Sequence, residues 1–114
     1  MKLDYTPHNM ADVEVKVVTK LFEMLEGEGV WVPKVVDDGG EGLAPTPTWS
    51  EALEAIGSVE WSTLWIKKEG SIHTWVEFIA GNGSDVVCNY PIWPKDFEAL
   101  MERLADWVET LTED

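Results

Sequence analysis

The chain has 114 residues, of which 45% are hydrophobic, and this is enough to bury the core of one folded domain. Asp and Glu number 22 against 8 Lys and Arg, giving a net charge of −14 that repels nucleic-acid phosphates and anionic lipid and attracts basic proteins. We therefore expect a protein that binds neither nucleic acid nor a membrane directly, and no apolar run approaches the length that spans a bilayer.

The cysteine content and the start of the chain bear on the compartment. Cys88 is the only cysteine, so no internal disulfide forms, which is consistent with a reducing environment. Residues 2–16, KLDYTPHNMADVEVK, contain no long apolar stretch of the kind found in signal peptides. Together these features predict a cytoplasmic protein.

The first third of the chain predicts a helix followed by a strand. Apolar residues recur at helical spacing at Met10, Val13, Val17, Leu21 and Met24. We expect Thr6 to cap this helix, Pro7 to occupy its first position and Gly27 to end it. Residues 30–36, VWVPKVV, predict a short strand, and Pro33 favours a position at a sheet edge.

A loop and a short helix come next. Residues 37–48, DDGGEGLAPTPT, predict a flexible loop, which is either mobile or used in binding because it is long for a compact domain. The acids in it do not have EF-hand spacing, so no calcium site is predicted. In TWSEALEAIG, residues 48–57, Thr48 and Glu51 have the spacing of a capping box, and Gly57 is suited to end the helix.

Three runs with alternating polarity predict a β-meander. They are WSTLWIKK, SIHTWVEFIA and SDVVCNYPIW, and the turns EG and GNG separate them. Alternation assigns one set of side chains to a core face: Leu64, Ile66, Val76, Phe78, Val86 and Cys88. The opposite face carries Trp61, Trp65, His73, Trp75 and Glu77.

The last segment predicts an amphipathic helix. Its apolar stripe comprises Phe97, Leu100, Met101, Leu104, Trp107, Val108 and Leu111. Packing this stripe on the meander gives the predicted fold class, a single α+β domain over residues 1–114. An antiparallel meander of three to four strands packs against the C-terminal helix, with an N-terminal helix and a short middle helix.

Acidic residues line the other side of the C-terminal helix. Glu98, Glu102, Asp106, Glu109 and Glu113 are spaced by 4, 4, 3 and 4 residues. At about 1.5 Å per residue they extend over roughly 22 Å, and neighbouring carboxylates stand about 5–6 Å apart along the axis, similar to phosphates along a nucleic-acid strand. Like charges at this spacing destabilise a helix. The row is therefore either a solvated face or a surface that docks a basic protein, and the loop acids Asp37, Asp38 and Glu41 are candidates to assist in docking.

Three tryptophans form a second candidate surface. Trp61, Trp65 and Trp75 share the outer face of the predicted meander. One interpretation is that the Trp49 helix, the first helix or the 30–36 strand covers them. The alternative is an exposed aromatic patch that binds a partner or buries itself in a homodimer.

The sequence predicts no catalytic residue, no cofactor and no metal site. His73 and Glu77 lie four residues apart on one strand face, roughly 13 Å, which is too far for direct contact. Cys88 is expected to be a buried structural thiol, and zinc-ligand spacing is absent. Two carboxylates brought together by folding, as in a small carboxylate-based hydrolase, are left open as a lesser alternative.

A short segment and the overall profile carry a resemblance. WVEFIAGNGSDVVCNY, residues 75–90, resembles part of small phage-type proteins in Phe78, the Gly81–Asn82 turn, Val86 and Tyr90, over about one seventh of the chain. In size and charge the chain is similar to phage and mobile-element inhibitors, among them nucleic-acid mimics and some anti-CRISPR proteins, and to toxin-immunity proteins. This resemblance implies a viral protein that acts in the cytoplasm of a bacterial host.

These observations favour a non-enzymatic inhibitor or regulator of a basic, nucleic-acid-handling protein, such as a host-defence nuclease or a CRISPR-type complex. The acids of the C-terminal helix would occupy its positively charged groove in place of phosphates. The alternative is a toxin-immunity or phage accessory protein that binds through the tryptophan-rich sheet face.

Overall fold

The computed structural model describes residues 10–39, 44–68 and 73–111. Within these ranges the elements are α1 (Asp12–Gly27), β1 (Trp31–Asp37), β2 (Ala44–Pro45), α2 (Trp49–Gly57), β3 (Trp61–Lys68), β4 (His73–Ile79), a 3-10 turn (Gly83–Asp85), β5 (Val87–Asn89) and α3 (Lys95–Glu109). The strands pair antiparallel in the order β2-β1-β3-β4-β5. The α+β class and the meander, formed by β3, β4 and β5, are confirmed.

The core lies between one face of this sheet and the helices. The core-facing residues of β3 and β4 are Leu64, Ile66, Val76 and Phe78, and all four are fully buried. From the helices they meet Phe22 of α1, Leu53 of α2 and Leu100 of α3, among others, in one hydrophobic cluster. Because the buried stripes of all three described helices belong to this cluster, the helices lie on the same side of the sheet.

The first helix is confirmed, but it begins later than the apolar period suggests. It starts at Asp12, after Ala11 in an extended conformation, while Thr6 and Pro7 lie outside the described residues. Glu14, in the first turn, accepts a hydrogen bond from the backbone N–H of Ala11 at 2.6 Å and so takes over part of a capping role. Residues 13–18, VEVKVV, alternate in polarity as a strand would, yet they lie inside this helix.

The middle helix and β1 follow the sequence closely. Thr48 caps α2 by accepting a hydrogen bond from the backbone N–H of Glu51 at 3.1 Å. β1 lies between β2 and β3, yet β2 pairs only with Val35 and Val36, so among the described strands Pro33 has a partner only in β3. The register of β1 against β3 shifts between Pro33 and Val35, which accommodates the missing N–H of the proline.

The last strand of the meander is much shorter than its sequence predicts. The segment 84–93 contains the end of the 3-10 turn and then only three strand residues, Val87–Asn89. The pairing of β4 with β5 shifts between Glu77 and Phe78. As a result Cys88 is exposed, and its expected burial in the core is wrong. Its Sγ lies 3.3 Å from Oε1 of Glu77. Partial burial of the sulfur and the contact with Glu77 raise the pKa of Cys88 to about 11.

Candidate functional site

α3 places the predicted acids on its solvent side. Its buried residues are Phe97, Leu100, Met101 and Leu104. On another side of the helix, Glu98 is half-buried and the three acids Glu102, Asp106 and Glu109 are exposed. We call these four residues the acidic stripe; Glu113, the fifth predicted member, lies outside the described residues.

Several cations near α3 are directed away from the acidic stripe. Arg103 forms an ion pair with Glu28 at the end of α1. At about 100° per residue, Arg103 lies roughly 60–140° around the helix from the stripe residues. Lys68 pairs with Asp96 at 2.7 Å, and Nζ of Lys20 lies 5.5 Å from the ring centre of Trp107. These contacts direct Arg103, Lys68 and Lys20 to Glu28, Asp96 and the Trp107 ring instead of to the exposed Glu102 and Asp106.

An apolar groove of about 220 Å³ runs beside the acidic stripe. Residues from α1, the 3-10 turn, the β5 segment and α3 line it: Val17, Ser84, Asp85, Val87, Tyr90, Met101, Leu104, Ala105, Val108 and Glu109. We call it the α3 groove. Glu109 belongs both to its lining and to the stripe, so the apolar and the acidic surfaces are continuous. Sequence reasoning missed this groove because its walls are far apart in the chain.

Glu14 fixes one wall of the α3 groove and was also missed. Its side chain is only 1% exposed, and Oε2 accepts hydrogen bonds from the backbone N–H groups of Gly81 at 2.6 Å and Gly83 at 3.2 Å. Since the same carboxyl group accepts from Ala11 at the start of α1, it ties that helix to the turn that carries Ser84 and Asp85. No sequence signal indicated this role, because the predicted helix began at Pro7 and therefore placed Glu14 beyond its first turn.

The loop acids are not brought to the acidic stripe. Asp37 ends β1, where its Oδ1 accepts a hydrogen bond from the backbone N–H of Gly39 at 2.8 Å. Its register opposite Thr63 places it on the sheet face turned away from the helices. Asp38 is exposed, and Glu41 lies outside the described residues.

Trp61, Trp65 and Trp75 lie on the sheet face turned away from the helices, which we call the tryptophan face, and no described element covers it. Trp65 and Trp75 stand directly opposite each other on β3 and β4 and are half-buried, while Trp61 is 40% exposed. Trp49 of α2 lies in the core instead, stacked near Phe22 at 4.6 Å between ring centres. The middle helix therefore does not cover this face, and β1 lies beside it within the sheet.

A polar row divides the tryptophan face. Thr63 and Glu77 pair with each other between the Trp65–Trp75 pair and the more distant Trp61. His73, which the sequence placed on this face, is exposed and stands opposite Lys67. The face is thus two apolar rows separated by polar groups, which is less apolar than three adjacent tryptophans would be.

Within residues 10–39, 44–68 and 73–111, no three His, Cys, Asp or Glu side chains lie close enough together to hold a metal ion. In the same ranges no helix has the length and apolarity required to cross a membrane. Comparison of the chain with protein-family models, curated protein sequences and solved structures finds no significant match.

Proposed function

We propose that this protein is a non-enzymatic inhibitor or regulator of a basic, nucleic-acid-handling protein, whose positively charged groove it occupies with the acidic stripe. The observation that carries the proposal is the exposed row Glu102, Asp106 and Glu109, with Arg103 directed away from it to Glu28. The partner class includes host-defence nucleases and CRISPR-type complexes, and the encounter would occur in the cytoplasm, that of a bacterial host if the chain is phage-encoded.

The energetics of α3 support this reading. Like charges at i,i+4 cost about 0.2–0.5 kcal/mol per pair, and acids near a helix C-terminus oppose its dipole. The last turn of α3 contains no basic residue that would offset this cost. Solubility alone needs no such arrangement, because the 18 acids outside the stripe still outnumber the 8 Lys and Arg. A cationic receptor surface would remove the repulsion on binding and so gain affinity from it.

The test is capture from a bacterial lysate treated with nuclease, with the acidic stripe reversed in one variant. We expect the native protein to retain basic, nucleic-acid-binding proteins at low salt and to release them at high salt or on adding competitor DNA. Glu102→Lys, Asp106→Lys and Glu109→Lys combined should abolish retention, since the surface that stands in for phosphates becomes cationic.

A charge-matched control separates the stripe from the net charge. Glu51→Lys, Glu54→Lys and Glu60→Lys combined change the total charge equally, and all three positions are exposed around α2. This control should retain the same proteins as the native chain with a modest loss. Equal retention by the stripe variant and the control variant would refute the stripe as the interface.

A second candidate is a toxin-immunity or phage accessory protein that binds through the tryptophan face. The half-exposed Trp65–Trp75 pair, on a sheet face that no element among residues 10–39, 44–68 and 73–111 covers, favours it. In that case Trp65→Ala would abolish capture, moderate salt would barely change it, and the stripe variant would bind normally. Because Thr63 and Glu77 interrupt its apolar surface, the tryptophan face is the weaker candidate for the interface, compared with the acidic stripe.

A further inference from the structure

We propose that the α3 groove receives an arginine side chain of the basic partner. The inference rests on the proposed function and adds to it a single anchoring pocket and the residue type that fills it. The methylene stem would lie against the apolar lining, and the guanidinium would reach the acids at the rim.

The size of the α3 groove matches one side chain. Pockets for drug-sized ligands occupy roughly 300–1,000 Å³, whereas this groove holds about 220 Å³. Its floor and sides are formed mainly by apolar residues, among them Met101, Leu104 and Val108. A long, unbranched stem can fill such a channel and leave its polar head at the mouth.

The charges at the α3 groove select a cation. Asp85 on the 3-10 turn and Glu109 on α3 both belong to the lining, and they come from different walls. Glu102 and Asp106 of the adjoining stripe extend the negative field. Guanidinium suits this position better than ammonium because it is more weakly hydrated and because its fork of N–H donors can serve two carboxylates at once.

The wall that carries Asp85 is held in place before any ligand arrives. Glu14 binds the backbone N–H groups of Gly81 and Gly83, immediately before Ser84 and Asp85. The backbone N–H of Val86 donates to the carbonyl of Gly83 at 3.1 Å and closes the turn. A preformed wall lowers the entropy cost of binding, so a single inserted side chain can contribute usefully to affinity.

The test uses a hexa-arginine peptide as the probe and follows the amide signals of the isotopically labelled protein by NMR. We expect the largest shifts at residues 84–87 and 101–109. Ala105→Phe fills the groove without changing the charge and should weaken binding about tenfold, the loss expected when two methylenes no longer find apolar cover. Ala99→Phe is the matched control, because Ala99 is an exposed alanine of the same helix outside the groove lining, and it should change affinity less than twofold.

A second measurement on the unaltered protein avoids any effect of substitution on folding. A peptide of six 2-amino-3-guanidinopropionate residues keeps the guanidinium charge on a stem that is two methylenes shorter, and it should bind about tenfold more weakly than hexa-arginine. Equal affinities for the two peptides, or equal affinities of the Ala105→Phe and Ala99→Phe variants, would overturn the anchoring pocket.

The α3 groove and the acidic docking surface can be tested separately. If the stripe variant (Glu102→Lys, Asp106→Lys and Glu109→Lys) loses hexa-arginine binding while Ala105→Phe does not, the groove is refuted and the acidic docking surface stands. If the stripe variant binds the peptide as well as the charge-matched control around α2, the proposed function fails as well.

Discussion

At the scale of single residues, Glu14 joins the start of α1 to the turn after β4. One buried carboxyl group accepts three backbone N–H donors, from Ala11 before α1 and from Gly81 and Gly83 after β4. Buried donors that lose their acceptor cost about 1–3 kcal/mol each. Removing the Glu14 side chain would therefore leave these three backbone N–H groups without their acceptor.

Glu14→Ala should lower the free energy of unfolding by about 1–3 kcal/mol in total, because three backbone N–H groups that are partly shielded from water lose their acceptor. Urea denaturation followed by tryptophan fluorescence measures it. Glu54→Ala, at an exposed position of α2, is the control and should stay within about 0.5 kcal/mol of the native protein. Equal midpoints for the two variants would contradict the assigned role.

Gly29 and Gly27 should respond in opposite directions to the same substitution. A Cβ at Gly29 would lie 2.5 Å from Nε1 of Trp31, whose side chain is 1% exposed and packs edge-on against Phe97. Gly29→Ala should therefore destabilise the protein by about 1–3 kcal/mol. A Cβ at Gly27, the last residue of α1, meets no atom of the described structure within 4 Å, so Gly27→Ala should be neutral or stabilise by up to about 1 kcal/mol. Thermal unfolding of both variants is the measurement, and a stabilised Gly29→Ala would contradict the packing argument.

At the scale of elements, α3 carries its acids at positions that would favour binding of a cationic partner but that lower the stability of the helix. Asp106 stands four residues after Glu102 and near the C-terminal end of the helix. Both the like charge and the helix dipole oppose a carboxylate at this position.

Asp106→Lys should raise the free energy of unfolding by about 0.5–1 kcal/mol, since it replaces a repulsion by an attraction and places a cation at the favourable end of α3. The midpoint of urea denaturation at low ionic strength shows the change most clearly. The same measurement in 1 M salt should show a smaller gain because surface charges are screened. A gain that does not depend on salt would point to a cause other than charge.

The Lys68–Asp96 pair joins the end of β3 to the first turn of α3 and predicts a pH dependence. The hydrogen bond from Lys68 lowers the pKa of Asp96 below its ordinary value of 3.8. The pair therefore contributes stability above pH 3.8, and this contribution is lost as the pH falls through the lowered pKa. Both side chains are partly exposed, so the contribution at neutral pH is below about 1 kcal/mol.

Asp96→Asn should destabilise the protein at pH 7, and this deficit should disappear at an acidic pH well below the lowered pKa of Asp96. Paired urea titrations at the two pH values measure this difference. Because Asn keeps the size of the side chain, packing is preserved. A deficit that persists in acid would assign the effect to capping rather than to charge, since Oδ1 of Asp96 also accepts from the N–H of Phe97 at 3.0 Å.

Local patterns were sufficient for some of these elements and not for others. The Thr48 cap and the 3.6-residue period of α3 depend on neighbours a few residues apart, and both were predicted correctly. The exposure of Cys88 depends on a register shift against β4, which is a long-range property. A slip of one residue reverses the two faces of a strand, so alternation alone assigned Cys88 to the wrong side.

At the scale of the whole molecule, the charges are unevenly distributed between two faces. The helical side carries the acidic stripe, whereas the outer sheet face mixes the acids Asp37 and Glu77 with Lys67, His73 and the nearby Lys34. The α3 groove belongs to the same scale, because its walls come from residues as distant as Val17 and Glu109. The sequence predicted the acids on one helix face, but it could not show which apolar surface would lie beside them.

The excess of negative charge predicts that salt stabilises the fold. With a net charge of −14, repulsion within the compact state weakens as the ionic strength rises. The melting temperature in 0.15 M sodium chloride should exceed that in 0.01 M by several degrees, in scans at pH 7. A lower melting temperature in salt would mean that ion pairs such as Arg103–Glu28 outweigh the general repulsion.

The short outer strands have a consequence for aggregation. β2 and β5, the two edges of the described sheet, have two and three residues, and Pro33 removes a donor from the part of β1 that β2 does not reach. A second chain that approached these edges would find few N–H and C=O groups with which to continue the ladder. Fibrillar stacking is thereby disfavoured even in a protein with seven tryptophans, three of which lie on one face of the sheet.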